Sequence, residues 1–182
     1  MAKPLVATGH FTGCFGCHMS VLDIDERILD LVELIEFDKS PINDIKTFTR
    51  PVDIALIEGG VSNDENVEFL RQFREHCKVL ISVGACAISG GVPSMRNTVP
   101  LRECFEEAYL NGPTVKNDGG KIIPNDPDIP TMLDMVYPAH EVVKIDYFLP
   151  GCPPSADTIW AALVALLEGR EPELPYELIK FD

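Results

Sequence analysis

Residues 5–20, LVATGHFTGCFGCHMS, join a short apolar run to a glycine-containing loop that carries two cysteines. Residues 5–7 predict a buried first strand that ends at Gly9, because short apolar runs bounded by glycine are typical of parallel strands. From Ser20, the expected N-cap, apolar residues recur at helical spacing as far as residue 35. A strand, a loop and a helix in this order predict a parallel α/β fold.

The same alternation continues along the chain. Apolar runs predict three further strands, at residues 52–57, 79–83 and 142–149. Helical patterns occupy residues 66–77, residues 101–109 and a closing segment that Ser155 caps and that ends near Gly169. Residues 111–131 hold four prolines and three glycines and are expected to form a long connection, with one small hairpin at most. We therefore expect an open parallel sheet with helices on both faces.

The length favours one domain. With 182 residues, the range 1–182 fits a single domain with a core over about 4–168 and a C-terminal arm over 169–182. No internal repeat or linker divides the sequence.

The composition excludes one class of protein. Fifteen Lys and Arg residues against 29 Asp and Glu residues give a net charge of −14, and no basic cluster offers the footprint of a nucleic-acid binder. The longest apolar run, residues 159–167, is far shorter than the roughly 20 residues that cross a bilayer. The N-terminal residues match neither a secretory signal nor a twin-arginine leader. We expect a cytoplasmic protein without a membrane span.

Four of the six cysteines follow predicted strands. Cys14 and Cys17 follow the first strand, Cys86 follows the third and Cys152 follows the last. Because loops at the carboxyl ends of parallel strands meet in one crevice, these cysteines are expected to converge on one small volume. Four thiolates around one cavity form the ligand set of a [4Fe–4S] cluster.

Glycines accompany these four cysteines. Each cysteine has a glycine beside it or two residues away, where close backbone approach and N–H donors to sulfur are expected; these are Gly13, Gly16, Gly84 and Gly151. The other two cysteines, Cys77 and Cys104, belong to predicted helices away from the strand ends. They are expected to be buried small apolar residues rather than ligands.

Three other interpretations remain open at this point. Cys14 and Cys17, with two residues between them after a strand, also match a dithiol redox motif, although this leaves Cys86 and Cys152 unexplained. A zinc site with four cysteine ligands is possible, but zinc is usually held by two cysteine pairs. A flavodoxin-like flavin module fits the architecture, but its phosphate loop would follow the first strand, where Cys14 and Cys17 stand instead.

Several motifs in order along the chain carry a resemblance. They are CFGCHMS at residues 14–20 followed by LDIDE at 22–26, EGG at 58–60, GACA at 84–87 with GGVP at 90–93, and PGCPP at 150–154. Together they resemble the small subunit of [NiFe] hydrogenases, above all the short cytoplasmic form of NAD-reducing, bidirectional enzymes, over residues 5–168. The related quinone-reductase subunit of respiratory complex I has adjacent cysteines at the first motif, whereas Phe15 and Gly16 separate them here.

This resemblance implies a flavodoxin-like domain in which the four cysteines bind the [4Fe–4S] cluster nearest a Ni–Fe site on a separate large subunit. The complex is expected to catalyse H₂ + NAD⁺ ⇌ NADH + H⁺, with this chain relaying electrons to diaphorase subunits that carry FMN, further iron–sulfur clusters and the NAD site. The second cluster domain and the leader of respiratory small subunits are not expected here. A cytoplasmic hydrogenase with a different acceptor is the alternative, and a second flavin on this chain is left open.

Further residues receive expected roles. His18 follows a ligand and is expected either to donate to a cluster sulfur or to lie at the surface or an interface. Glu58 follows the second strand, and the resemblance implies that it lies near the cluster and the large subunit, where it would transfer protons; the alternatives are a solvated glutamate and one bonded to loop N–H groups. Ser94, Met95, Arg96 and Asn97 are expected to contact a partner or to form an ordinary loop.

Overall fold

A five-stranded sheet organises the computed structural model, which describes residues 2–116, 118–120 and 122–179. The strands in chain order are β1 Leu5–His10, β2 Glu36–Phe37, β3 Val52–Glu58, β4 Val61–Asn63, β5 Cys77–Val83, β6 Met132–Tyr137 and β7 Tyr147–Leu149. The main sheet has the order β2-β1-β3-β5-β7, and all its neighbouring strands are parallel. When only the five strands of this sheet are numbered along the chain, the order is 2-1-3-4-5, as in flavodoxin-like folds. The predicted fold class is therefore confirmed.

Helices cover both faces of this sheet. In chain order they are α1 Gly16–Leu22, α2 Arg27–Leu34, α3 Asp64–His76, α4 Gly84–Ser89, α5 Leu101–Glu106, α6 Ala156–Leu167 and α7 Tyr176–Ile179. Two 3-10 turns, Val92–Thr98 and Ala139–Glu141, and one π turn, Glu107–Asn111, complete the regular structure of the described residues.

Alternate residues of the strands supply two hydrophobic cores. Ala7 of β1 belongs to the core that contains Phe73 of α3. Its neighbour Val6 belongs to the core on the other face, which contains Leu31 of α2 and Leu163 of α6. Because both faces are buried, strands such as β3 are continuous apolar runs, which is why the sequence pattern could locate them.

The helix predicted from Ser20 to residue 35 is in fact two helices. Asp25 has a left-handed φ of +58° in the segment between α1 and α2, where the helical path is interrupted. Ser20 lies inside α1, and its buried hydroxyl donates a 2.6 Å hydrogen bond to the carbonyl of Pro154. The predicted N-cap is therefore wrong, because this serine serves a long-range contact and not the start of a helix.

The last strand is shorter than predicted. Of the residues 142–149, only Tyr147–Leu149 pairs with β5. Val142 and Val143 instead pack against the core after the turn Ala139–Glu141, without joining the sheet. The apolar pattern of residues 142–149 therefore predicted burial correctly, but it did not show which of these residues pair with a neighbouring strand.

The second, smaller sheet was not anticipated. β6 follows the proline-rich connection and pairs antiparallel with β4, with Val61 opposite Tyr137 and Asn63 opposite Met132. Within the described part of residues 111–131, which lacks 117 and 121, there is no hairpin. This pairing joins segments about 70 positions apart, a separation that local patterns do not report.

The closing helix forms where the sequence pattern predicts it, before the C-terminal arm. Ser155 caps α6, its side chain accepting a hydrogen bond from the N–H of Thr158. The arm then returns along α6, where the hydroxyl of Thr158 donates to the carbonyl of Leu178. The division into a core and an arm over 169–182 remains a prediction, and residues 180–182 lie outside the described residues. Within the described ranges, no helix combines the length and apolar character that spanning a bilayer requires.

Candidate metal centre

The four predicted ligands all lie at the carboxyl edge of the main sheet. Cys14 is in the loop after β1, Cys17 is in the first turn of α1, Cys86 is in α4 directly after β5, and Cys152 follows β7. Cys17 interacts electrostatically with Cys14 and Cys86, and Cys86 interacts with Cys14 and Cys152. The fold thus brings together cysteines that are up to 138 positions apart, counting 152 − 14.

All six cysteines are unpaired, and their exposure separates them. Cys14 and Cys152 are exposed, and Cys17 and Cys86 are partly buried. Cys77 begins β5 rather than ending a helix and is buried, as expected of a small apolar residue. Cys104 is only partly buried and lines a cavity of about 880 Å³ beside α5, so the prediction that it is buried is wrong.

The four cysteine sulfurs are not gathered in the tight tetrahedron of a zinc site. A tetrahedral site with Zn–S bonds of about 2.3 Å places its sulfurs about 3.8 Å apart. Among the described residues, the three ligand atoms that lie within 4.8 Å of one another belong to His10, His18 and Glu58, and no three cysteine sulfurs are that close. A cluster in which each thiolate binds a different iron accommodates a wider arrangement, so the four cysteines are a donor set that fits an iron–sulfur cluster.

Two glycines leave the space that the cysteines need. Gly84 has φ +81°, and a Cβ built on it would lie 2.4 Å from Sγ of Cys17. Gly91 has φ +49°, and its Cβ would lie 2.9 Å from both N and Cα of Cys86. Real Cβ atoms do not approach so closely, and left-handed conformations favour glycine. Glycine is therefore required at both positions, because any side chain there would collide with a candidate ligand.

Backbone N–H groups reach two of the sulfurs. The N–H of Gly16 donates to Sγ of Cys14 at 3.4 Å. Burial raises the pKa of Cys86, and the neighbouring Cys152 adds to this, whereas the N–H of Val92 acts in the opposite direction. Of these two groups, the N–H of Gly16 is the one with hydrogen-bond geometry to sulfur among the described contacts. Gly13, Gly84 and Gly151, for which donation to sulfur was predicted, make no such hydrogen bond among the described contacts.

Glu58 lies at the centre of a buried polar network beside Cys17. Its Oε2 accepts the N–H of Cys17 at 2.8 Å and the N–H of His18 at 3.3 Å. Its Oε1 lies 2.9 Å from Nδ1 of His10 and 2.6 Å from Nδ1 of His18. Burial would raise the pKa of Glu58, but the hydrogen bonds from His18, His10 and Cys17 prevail and lower it. Glu58 is therefore held as a carboxylate.

The network continues through His18 into the protein. Nε2 of His18 lies 2.9 Å from Oγ1 of Thr8, which in turn lies 2.6 Å from Oγ of Ser40. His18 also stacks on Phe15, with ring centroids 4.6 Å apart. His18 is 4% exposed and both its ring nitrogens have partners other than sulfur. The prediction of a surface histidine is wrong, because the ring is buried against Glu58 and Thr8. The predictions that it donates to a cluster sulfur or lies at an interface stay predictions.

The same network sets the environment of the Cys17 thiol and of the Glu58 carboxylate. Glu58 is also 4% exposed, so the alternative of a solvated glutamate is wrong and the alternative of a glutamate held by loop N–H groups is closer. Burial, followed by the charge of Glu58, raises the pKa of Cys17 far above that of a free thiol. The fold therefore places Cys17 in an environment that opposes its ionisation unless a metal or another positive centre is bound.

Residues 94–97 serve the fold more than a surface. Arg96 donates to the carbonyls of Leu133 and Asp134, and Asn97 exchanges two hydrogen bonds with the backbone of Val136. They hold the outer edge of β6. Met95, in contrast, is 70% exposed, and Val92, whose backbone lies beside Cys86, is 69% exposed. Met95 is the most exposed of the four residues, and contact of residues 94–97 with a partner stays a prediction.

Sequence reasoning missed several members of this site. His10, Thr8 and Ser40 were not singled out: Thr8 lies within β1, His10 ends that strand, and Ser40 lies three residues after β2. A polar residue among the apolar residues of β1, as at Thr8, was the available signal, because buried polar groups need partners. Gly91 was quoted in a motif, but nothing local indicated that it faces Cys86.

Comparison with known proteins supplies the family. A family model described as NADH ubiquinone oxidoreductase, 20 Kd subunit, matches residues 14–166. The delta subunit of the NAD-reducing hydrogenase HoxS of Cupriavidus necator is 49% identical over 180 residues, which is 99% of this chain and 86% of that protein. One subunit of the F420-non-reducing hydrogenase of Methanothermobacter thermautotrophicus is 44% identical over 95% of this chain, but the chain spans only 56% of its length.

Solved structures of hydrogenases also match this chain. The crystal structure of an NAD⁺-reducing [NiFe]-hydrogenase in the H₂-reduced state contains a chain that matches with a TM-score of 0.94 and 48% identity, over 99% of both chains. The Ni-Fe-Se hydrogenase of Desulfomicrobium baculatum matches with a TM-score of 0.60 at 17% identity, which shows the shared fold alone. The chain belongs to the NADH ubiquinone oxidoreductase 20 Kd subunit family and, within it, is a homologue of the small subunit of NAD-reducing [NiFe] hydrogenase.

Proposed function

We propose that this chain is the electron-transfer small subunit of an NAD-reducing [NiFe] hydrogenase, with Cys14, Cys17, Cys86 and Cys152 as the ligands of one [4Fe–4S] cluster. The observation that carries the proposal is the gathering of these four cysteines at one edge of the sheet, in a chain that is 49% identical to a subunit of such an enzyme. Bound there, the cluster would supply a one-electron carrier between two redox partners.

The residues of this chain hold and shield that site. Gly84 and Gly91 leave room beside Cys17 and Cys86, and the N–H groups of Gly16 and Val92 face Cys14 and Cys86. Hydrogen bonds to ligand sulfurs are one of the means by which proteins adjust iron–sulfur potentials. The half of the site around Cys17 is dry, because Glu58, His18 and Thr8 are all buried.

The partners are part of the proposal. We expect a large subunit with the Ni–Fe site and diaphorase subunits with FMN, further iron–sulfur clusters and the NAD site; support comes from the names of the related hydrogenases. The exposed Cys14 and Cys152, with the exposed Val92 and Met95 nearby, form a rim that a partner would have to cover to keep water out. A cytoplasmic location is proposed with the NAD-linked reaction, and six unpaired thiols agree with a reducing compartment.

The proton-transfer role predicted for Glu58 stays a prediction. Its support is the continuous row of polar groups that leads from the partly exposed His10 through Glu58 and His18 to Thr8 and Ser40. Histidine and carboxylate at hydrogen-bond distance are suited to exchange protons.

A different electron acceptor is the second candidate. The observation that favours it is the 44% identity to a component of an F420-non-reducing hydrogenase, which is close to the 49% of the NAD-reducing relative. In that case the same cluster site would serve another redox partner, and NAD⁺ would not be reduced.

The test is H₂-dependent reduction of NAD⁺ by the complex purified anaerobically through a tag on this chain. Replacing Cys14, Cys17, Cys86 or Cys152 by Ser is expected to abolish the reaction, because three thiolates leave one iron without its protein ligand. Cys104→Ser is the matched control, since Cys104 lies in α5 away from the strand ends, and it should retain activity. H₂-dependent reduction of a viologen dye without NAD⁺ reduction would favour the second candidate, and activity in a Cys86→Ser complex would contradict both.

A further inference from the structure

The carboxylate of Glu58 has an unusual position for a group beside a redox site. It is buried, it ends β3, and it accepts hydrogen bonds from the backbone of a candidate ligand, Cys17. We infer that Glu58 is a positioning residue that holds the reduction potential of the cluster low, by its negative charge and by occupying the N–H groups of Cys17 and His18. This inference rests on the proposed function, because it requires a cluster at the four cysteines.

The first part of the argument concerns hydrogen-bond donors. Peptide N–H groups that point at cluster sulfurs favour the reduced, more negative state. The N–H of Gly16 is directed at Sγ of Cys14. Those of Cys17 and His18, at the start of α1, point at Oε2 of Glu58 instead, at 2.8 and 3.3 Å. Glu58 thus keeps two donors on the Cys17 side away from sulfur.

The second part concerns charge. A buried charge is screened far less than a surface charge, so its interaction with a neighbouring centre is stronger. Glu58 is 4% exposed, and within the described ranges the basic side chains at hydrogen-bond distance from its carboxylate are the imidazoles of His10 and His18, with no lysine or arginine. Adding an electron next to this carboxylate is opposed by like charge. Both parts of the argument therefore act in the same direction.

The experiment is a redox titration of the anaerobic complex, followed by electron paramagnetic resonance. The signal of this cluster is identified as the one that is absent from the Cys86→Ser complex. Glu58→Gln keeps an oxygen for the two N–H groups and removes the charge, whereas Glu58→Ala removes the charge and frees both donors. Iron content per chain, measured in parallel, reports whether each variant holds its cluster.

Asp53→Asn is the matched control. Asp53 lies in the same strand as Glu58, five residues earlier, and at about 3.3 Å per residue it is roughly 16 Å away. Like Glu58 it accepts a backbone N–H, that of Leu5 at 2.8 Å, so the substitution makes the same chemical change at the opposite edge of the sheet.

We expect Glu58→Gln to raise the equilibrium constant for one-electron reduction about tenfold, which corresponds to about 59 mV. Glu58→Ala should raise it at least as much, and Asp53→Asn should leave it within about twofold of wild type. A purely structural or proton-transferring role would change iron content or turnover without this shift. A cluster-bearing Gln or Ala variant that titrates at or below the wild-type potential overturns the inference alone. Absence of any signal that depends on Cys86 overturns the proposed function itself.

Discussion

A single methyl group at Gly84 should damage the site more than its size suggests. Gly84 joins β5 to α4 with φ +81°, and a Cβ at this position would lie 2.4 Å from Sγ of Cys17. The nearby atoms of Gly151 and Pro154, at 3.5 and 3.7 Å, leave the methyl little room to move away. Gly84→Ala must therefore displace either the strand end or the sulfur.

The cost follows from two contributions. A non-glycine residue in the left-handed region loses roughly 1–2 kcal/mol. Inserting a methyl group into a packed site adds roughly 1–3 kcal/mol, because side chains or backbone must shift. The sum is roughly 2–5 kcal/mol of unfolding free energy, and in a chain of this length each kcal/mol lowers the melting temperature by about 2–4 °C.

Gly169→Ala separates the two contributions. Gly169 has a comparable φ of +72°, but a Cβ built on it meets nothing within 4 Å. This variant should lose only the backbone contribution and should keep its iron. Thermal unfolding and iron content of the anaerobically purified protein are the measurements, and Gly84→Ala should unfold at a lower temperature and hold less iron than Gly169→Ala. Equal melting temperatures and equal iron in both variants would refute the close approach of Gly84 to Cys17.

Two further predictions concern the scaffold. Asn97→Ala removes both hydrogen bonds to the backbone of β6 and should lower the unfolding free energy by about 1–3 kcal/mol in urea; an unchanged midpoint would contradict this role. Burial would raise the pKa of Asp146, but the Arg74 guanidinium at 2.6 Å and the N–H of Leu80 prevail and lower this pKa. The ionised Asp146 therefore stabilises the fold fully above the ordinary carboxyl pKa of about 3.9, and this stabilisation is lost as the pH falls below that value. Asp146→Asn should therefore lose less stability than wild type between pH 5 and pH 3, and parallel profiles would contradict the pairing.

The position of the candidate ligands could be predicted from the sequence because the topology of a parallel sheet determines where the ends of its strands lie. Once β1, β5 and β7 are recognised as parallel strands, Cys17, Cys86 and Cys152 must share an edge whatever their distance along the chain. The apolar runs that mark such strands are unusually clear, since both faces of the sheet are buried.

Features set by long-range contacts could not be predicted in this way. Ser20 resembled a cap, but it bonds the carbonyl of Pro154, and His18 resembled a surface residue, but it lies between Glu58 and Thr8. Each of these side chains is polar, and polarity alone does not distinguish a solvated group from a buried one with partners. The pairing of β4 with β6 was missed for a related reason, because the two strands lie about 70 positions apart and local patterns do not report such a pairing.

Counting inorganic atoms in the anaerobically purified protein tests the central claim most directly. The wild-type complex should contain, per copy of this chain, four irons and four acid-labile sulfides beyond those of its partner subunits, as a single cubane cluster demands. The Cys86→Ser and Cys152→Ser variants should lose them, while Cys104→Ser keeps them. Zinc in place of iron and sulfide, or full iron and sulfide in a chain lacking both Cys86 and Cys152, would contradict the account.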